Sequence, residues 1–158
     1  MGADTWRKWL PVVLVFLCGS IATALVPLTV PILKPLATEF RIPDSSLGWI
    51  VSFPTLVCAI GALATGVIVD RLGDVGLLLV GIVMVILGDV GVCMAPAAYW
   101  FFAARIFQGV GYVSLTVAGP SFIQRTTTGE MRRAAMAFWA AHTPVGFAGA
   151  VFTGAQFV

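Results

Sequence analysis

Apolar stretches of about 20 residues follow one another along almost the whole chain, separated by connections too short to fold by themselves. A helix of about 20 mostly apolar residues matches the hydrocarbon thickness of a bilayer. Lipid offers no hydrogen bonds to a backbone, so only helices or a closed barrel can cross it. The short alternating segments that mark a spanning barrel do not recur here. The sequence therefore predicts an all-α polytopic membrane helix bundle of about five transmembrane helices. They lie near 9–30, 47–69, 75–94, 98–123 and 134–157, in a single transmembrane domain covering 1–158.

The charge content leads to the same place. Charged residues make up 10% of the 158 and apolar residues 59%. A soluble domain carries about 25% charged residues, so this chain cannot build a water-facing surface. A net charge of +2 gives no reason to expect nucleic acid as a partner. Cys18, Cys58 and Cys93 are far apart, each inside an apolar run, and there is no C-x-x-C or His/Cys cluster. No metal and no cofactor is expected on that pattern. There is no G-x-S-x-G, H-E-x-x-H or Walker loop, and Ser114 and Ser121 have no base nearby in sequence, so the chain reads as no enzyme. Arg7 and Lys8 precede the first apolar run, but that run is longer than the roughly 7–15 residues of a secretory signal. It reads as a retained spanning helix.

Lys and Arg in short loops set orientation. The N-terminus, the second connection and the fourth share one side, with Arg7, Lys8, Arg71, Arg125, Arg132 and Arg133. The other side holds Lys34 and Arg41 in the connection from Pro31 to Ser46. The imbalance predicts a multi-pass protein of the cell membrane with a cytoplasmic N-terminus. Trp6, Trp9, Trp49, Trp100 and Trp139 fall near span ends, the usual place for interfacial anchors.

Small residues recur at helical spacing. Gly146, Ala150 and Gly154 form one stripe, Cys58, Ala62 and Gly66 a second, and Gly111, Ser114 and Ala118 a third. Such stripes let helix backbones approach where lipid removes the hydrophobic drive. Pro27, Pro54, Pro120 and Pro144 fall inside spans, where each removes a backbone hydrogen bond and bends its helix.

Four polar residues inside the spans are the candidate site. Arg105 and Gln108 stand three apart on the fourth helix and can share a face. A buried arginine is expensive in a membrane, so it is expected to face a cavity or a partner. Asp89 lies deep in the third helix, a position where an acid is a candidate for proton or ion coupling. His142 is the only histidine and can take up a proton near neutral pH.

Two motifs carry a family resemblance. Gly66-Val-Ile-Val-Asp70-Arg71-Leu-Gly73, after the second helix, resembles the signature loop of the major facilitator superfamily. Arg105-Ile-Phe-Gln108-Gly109-Val-Gly111 is similar to that family's fourth-helix motif. The loop departs from the pattern after Gly73, where Asp74 and Val75 stand in place of the usual basic residues. The fifth-helix run of the drug:proton antiporters is poorly matched: Pro144 is present, but Gly146 and Gly149 are out of register.

The resemblance covers the whole chain and implies the first five helices of a six-helix N-terminal half. It implies a secondary active transporter of a small solute, working by alternating access in a lipid bilayer, with proton coupling an option. Arg105, Gln108, Asp89 and His142 are then candidates for substrate or proton coupling. Gly66, Asp70, Arg71 and Gly73 would gate, and Gly109, Gly111, Pro144, Gly146 and Gly149 would pack helices. In the family the loop acid meets a helix end in the other half and locks one state. Alternating access needs that missing C-terminal half, so the chain is expected to be a fragment, inactive alone. The alternatives are a small membrane-embedded assembly or binding subunit, or a self-associating half-transporter.

Overall fold

The computed structural model describes residues 3–31, 33–154 and 156. It is helical almost throughout. Helix α1 spans Ala3–Leu28, α2 Leu33–Phe40, α3 Leu47–Cys93, α4 Ala98–Thr126, α5 Gly129–Ala140 and α6 His142–Gly154, with a short 3-10 turn at Asp44–Ser46.

Continuous helix runs from Asp44 to Cys93, a stretch of 50 residues. At 1.5 Å per residue it would be about 75 Å long, more than twice the bilayer core. It does not run straight. Gly73 has φ 73° and ψ 165°, a conformation open almost solely to glycine, and it divides α3 into two arms, 47–72 and 74–93.

Contacts with α4 give the direction of each arm. A Cβ at Gly109 would lie 2.7–2.8 Å from Val57 and the Pro54 carbonyl, and one at Gly61 would lie 3.5 Å from Val113. Numbers rise together, so the first arm is parallel to α4. Gly88 abuts Ala104 and Gln108, and Gly81 abuts Ser114 and Leu115. Here one number rises as the other falls, so the second arm is antiparallel to α4. The chain therefore reverses at Gly73 and α3 supplies two crossings. Along α1 and the last helices, Gly19 meets Trp139 and His142, the Ser20 carbonyl meets Gly146, and Pro31 meets Gly154. These run parallel, as the first and fifth crossings of an alternating bundle must.

The fifth crossing is broken. Helix α5 ends at Ala140 and α6 begins at His142. Pro144 has no N–H to give the Ala140 carbonyl, and its ring crowds that carbonyl. The turn tightens there, with the Ala141 N–H on the Phe138 carbonyl at 3.1 Å, and regular bonding resumes from Val145 to Ala141.

Several boundaries differ from expectation. The fourth and fifth helices meet across Thr127–Thr128 alone, so Arg125, Arg132 and Arg133 sit on helix ends and not in a loop. The end of the fifth span expected at 157 lies outside the described residues. The connection from Pro31 to Ser46 contains α2, too short to span. Its Leu33, Leu36, Ala37 and Phe40 are sheltered and the residues between are exposed, the spacing of an amphipathic helix. Phe40 reaches the Phe101 ring at 5.8 Å.

Helix α4 is the hub. Phe101, Ala104, Arg105, Gln108, Gly111, Ser114, Leu115, Ala118 and Ile123 are buried along it. The apolar core joins Val12, Val15 and Ala22 of α1 to Leu77, Leu78 and Val85 of α3 and to Ala135 and Trp139 of α5. Trp139 is thus no interfacial anchor. Its indole fills the space that Gly19 and Gly119 leave between α1 and α4. The second small stripe is also corrected. No atom among the described residues would meet a Cβ on Gly66 within 4 Å, and Ala62 is exposed, because Gly61 and Thr65 hold the face toward the bundle.

Candidate functional site

The fourth-helix motif turns inward as its spacing requires. Arg105 is 3% exposed and Gln108 4%. The Arg105 Nη1 donates to Gln108 Oε1 at 2.8 Å, and its Nη2 donates to Thr29 Oγ1 at 2.5 Å. Thr29 in turn donates to the Leu25 carbonyl at 2.9 Å, which fixes the hydroxyl's lone pairs toward the arginine. The guanidinium carbon lies 4.9 Å from the centre of the Phe101 ring, a cation–π distance.

Gln108 continues the chain of bonds. Its Nε2 donates to Asp89 Oδ1 at 2.7 Å. Arginine only donates and a carboxylate only accepts, so the amide has one orientation that satisfies both. Gly88 makes the approach possible, because a Cβ there would lie 2.5 Å from Gln108 Cγ and 2.8 Å from its backbone nitrogen. Three crossings thus meet in one line: Thr29 at the end of α1, Arg105 and Gln108 on α4, and Asp89 on the second arm of α3. Removal of any member would strand a buried polar group, which costs about 1–3 kcal/mol. Arg105 Nε is itself buried and has no partner among the described residues.

Thr29 and Gly88 were not legible beforehand. Thr29 follows the last turn of a helix read only for its apolar run. Gly88 had one signal, its place beside the acid at the depth of the arginine.

His142 lies elsewhere. Its Nδ1 is 2.7 Å from the Trp139 carbonyl and its ring stacks on the indole at 4.1 Å. A carbonyl only accepts, so Nδ1 carries the hydrogen, leaving Nε2 for the Thr143 hydroxyl at 3.2 Å. It packs against Gly19, about 15 Å along α1 from Thr29 at 1.5 Å per residue. The structure does not bring it to Arg105.

At the other end of the bundle, the loop motif divides. Asp70 and Arg71 are exposed, and neither makes an ion pair among the described residues. The acid that pairs is Asp74, 6% exposed, whose Oδ2 lies 3.1 Å from Arg125 Nε on the last turn of α4. The residue that departs from the family pattern is therefore the one engaged here. Among the packing glycines, Gly109, Gly111 and Gly146 sit at close helix crossings. Gly149 and Pro144 are exposed, and no atom among the described residues would meet a Cβ on Gly149 within 4 Å; the helical phase gives the buried face to Gly146, Ala150 and Gly154. No cluster of three metal-ligating side chains occurs among the described residues.

No curated protein and no solved structure matches the chain. A family model described as Major Facilitator Superfamily matches residues 12–158, a stretch that begins within α1 and takes in every later crossing. With both motifs inside that match and the crossings alternating through the bundle, the chain belongs to the major facilitator superfamily and is an integral membrane protein of transporter type.

Proposed function

We propose that this protein acts in secondary active transport of a small solute, with Arg105, Gln108, Asp89 and Thr29 as its coupling site. One observation carries the reading: a buried arginine joined through a glutamine to an aspartate on another crossing, within the membrane span. Ionisable groups at such depth are costly and rarely kept without a role in a pathway or a relay. A line of bonds through α1, α3 and α4 ties the charge state at the site to the relative positions of three crossings. That is what alternating access requires, since the site must sense which side is open. Transport by rocking needs a second set of helices facing this one, supplied by further sequence or by another copy.

The protein is further proposed to sit in the cell membrane with its N-terminus in the cytoplasm, on the basic-residue imbalance. His142, apart from the network, is read as a packing residue at the break in the fifth crossing.

The test is solute uptake by proteoliposomes carrying the protein. Arg105→Ala is expected to lower the rate at least about a hundredfold, the equivalent of losing about 3 kcal/mol of stabilisation. Unchanged uptake in that variant would remove Arg105 from the mechanism.

A further inference from the structure

We infer that α2 is a strap across one end of the Arg105 network, closed in this structure, which lifts to let water reach the network from the α2 side of the membrane. The strap governs access alone; its use in alternating access rests on the transporter reading above.

The network lies close to that end of the bundle. Thr29 stands just past the end of α1, Asp89 about one turn before the end of α3 and Arg105 about two turns into α4. Phe101, one turn nearer the end than Arg105, is fully buried and lies against the guanidinium. Phe40, the last residue of α2, packs on the Phe101 ring, and Ala37, one turn before it, is buried too.

The strap is fastened at both ends to the same guanidinium. Thr29, at its entry, accepts a hydrogen bond from Arg105. Phe40, at its exit, covers the ring that Arg105 lies against. The turns joining α1 to α2 are tight, with the Thr29 N–H on the Val26 carbonyl at 3.2 Å and the Leu33 N–H on the Val30 carbonyl at 3.3 Å. A shift of α2 is therefore passed to Thr29. At the exit, Arg41 takes φ 53° and the Ile42 N–H returns to the Ala37 carbonyl at 2.9 Å, a left-handed helix end that turns the chain away just after Phe40.

Little else holds α2 down. Lys34, Pro35, Thr38 and Glu39 are exposed. Among the described residues, no side chain of α2 makes a hydrogen bond or ion pair to another element; Thr38 donates to the Lys34 carbonyl within the helix. A cavity of about 440 Å³, lined by Lys34, Ala37, Thr38, Ile42, Asp44 and Leu47, lies between α2 and the start of α3. A segment with few buried apolar contacts opens locally at small cost. The fastening also works in both directions. A cation–π contact is stronger dry than wet. Phe40 in place keeps Arg105 and Phe101 dry, and a lifted strap weakens their contact, so closure of the strap and fixing of Arg105 favour one another.

The experiment uses the protein without its native cysteines, in sealed membrane vesicles with the α2 side outward, an orientation checked by labelling a cysteine at position 41. The first readout is Thr29→Cys, which puts a thiol in the network, and its rate of reaction with a charged, impermeant methanethiosulfonate. We expect a slow reaction, raised at least about tenfold by Phe40→Ala, which removes the ring pair and its burial, and little changed by Phe40→Leu. The second readout needs no change at Phe40. Spin labels at the exposed positions 38 and 99 report the separation of α2 from the start of α4. Two separations are expected, the longer one gaining population in Arg105→Gln. Should Phe40→Ala or Arg105→Gln fail to fold, the presence of two separations without either change decides. A single separation overturns the inference. So does a Thr29→Cys thiol that reacts fast with Phe40 in place, or at one rate with and without it. A lifting strap in a protein that takes up no solute would sustain the inference and overturn the transporter reading.

Discussion

At the residue scale, what a glycine is worth depends on the face it occupies. Gly111 and Gly149 both sit in spanning helices and look alike in sequence. A Cβ at Gly111 would lie 2.6–2.8 Å from Val85 and the Gly81 carbonyl, so α3 and α4 could not keep their distance. Gly111→Leu is expected to destabilise the protein by about 1–3 kcal/mol or more, the usual range for overpacking. Gly149→Ala meets open space and replaces a flexible helical residue, so a gain of about 0.5–1 kcal/mol is expected. Unfolding in mixed micelles would rank them. Equal effects would mean that the α3–α4 crossing is looser than described.

At the element scale, the reversal within α3 has a single pivot. Gly73 adopts φ 73° and ψ 165°, which a side chain tolerates only with strain of about 1–3 kcal/mol. Gly73→Ala should therefore lower stability although nothing crowds the site. A neutral result would show that the arms reverse by another geometry. The next residue fastens the turn to α4. Arg125 is largely exposed, so the pair with Asp74 is worth little as Coulomb attraction. Asp74 is buried, however, and its Oδ1 already lacks a partner. Arg125→Gln would leave that carboxylate with neither oxygen paired, at an expected cost of about 1–3 kcal/mol. Adding Asp74→Asn should recover most of it. A double-mutant cycle measures the coupling, and a value near zero would show that the pair does not hold the turn.

At the scale of the whole molecule, the direction of each crossing is fixed relative to its neighbours, while the side of the membrane is set by charge. Arg71, Arg125, Arg132 and Arg133 are expected to share the cytoplasmic face, with Lys34 and Arg41 opposite. A cysteine at position 41 in a variant without native cysteines should react with an impermeant thiol reagent in intact cells. One at position 133 should react only after the membrane is opened. The reverse pattern would invert the proposed topology and leave the bundle itself unchanged.

Length and apolarity alone determined that this chain crosses a membrane as helices and roughly where each crossing lies, because lipid allows a backbone few other solutions. Local spacing also placed Arg105 and Gln108 on one face, since three residues is nearly one helical turn. Tertiary structure decided everything that depends on which helix lies opposite. It chose Thr29 and Asp89 as the ends of the Arg105 network, gave Asp74 an ion pair with Arg125, drew Trp139 into the core and turned Gly66 and Gly149 away from it. The physical reason is that a helix's own sequence fixes the angles between its side chains but not the rotation of that helix against its neighbours. That rotation is settled by small residues at the crossings, such as Gly88 and Gly109, whose contacts lie far apart in the chain.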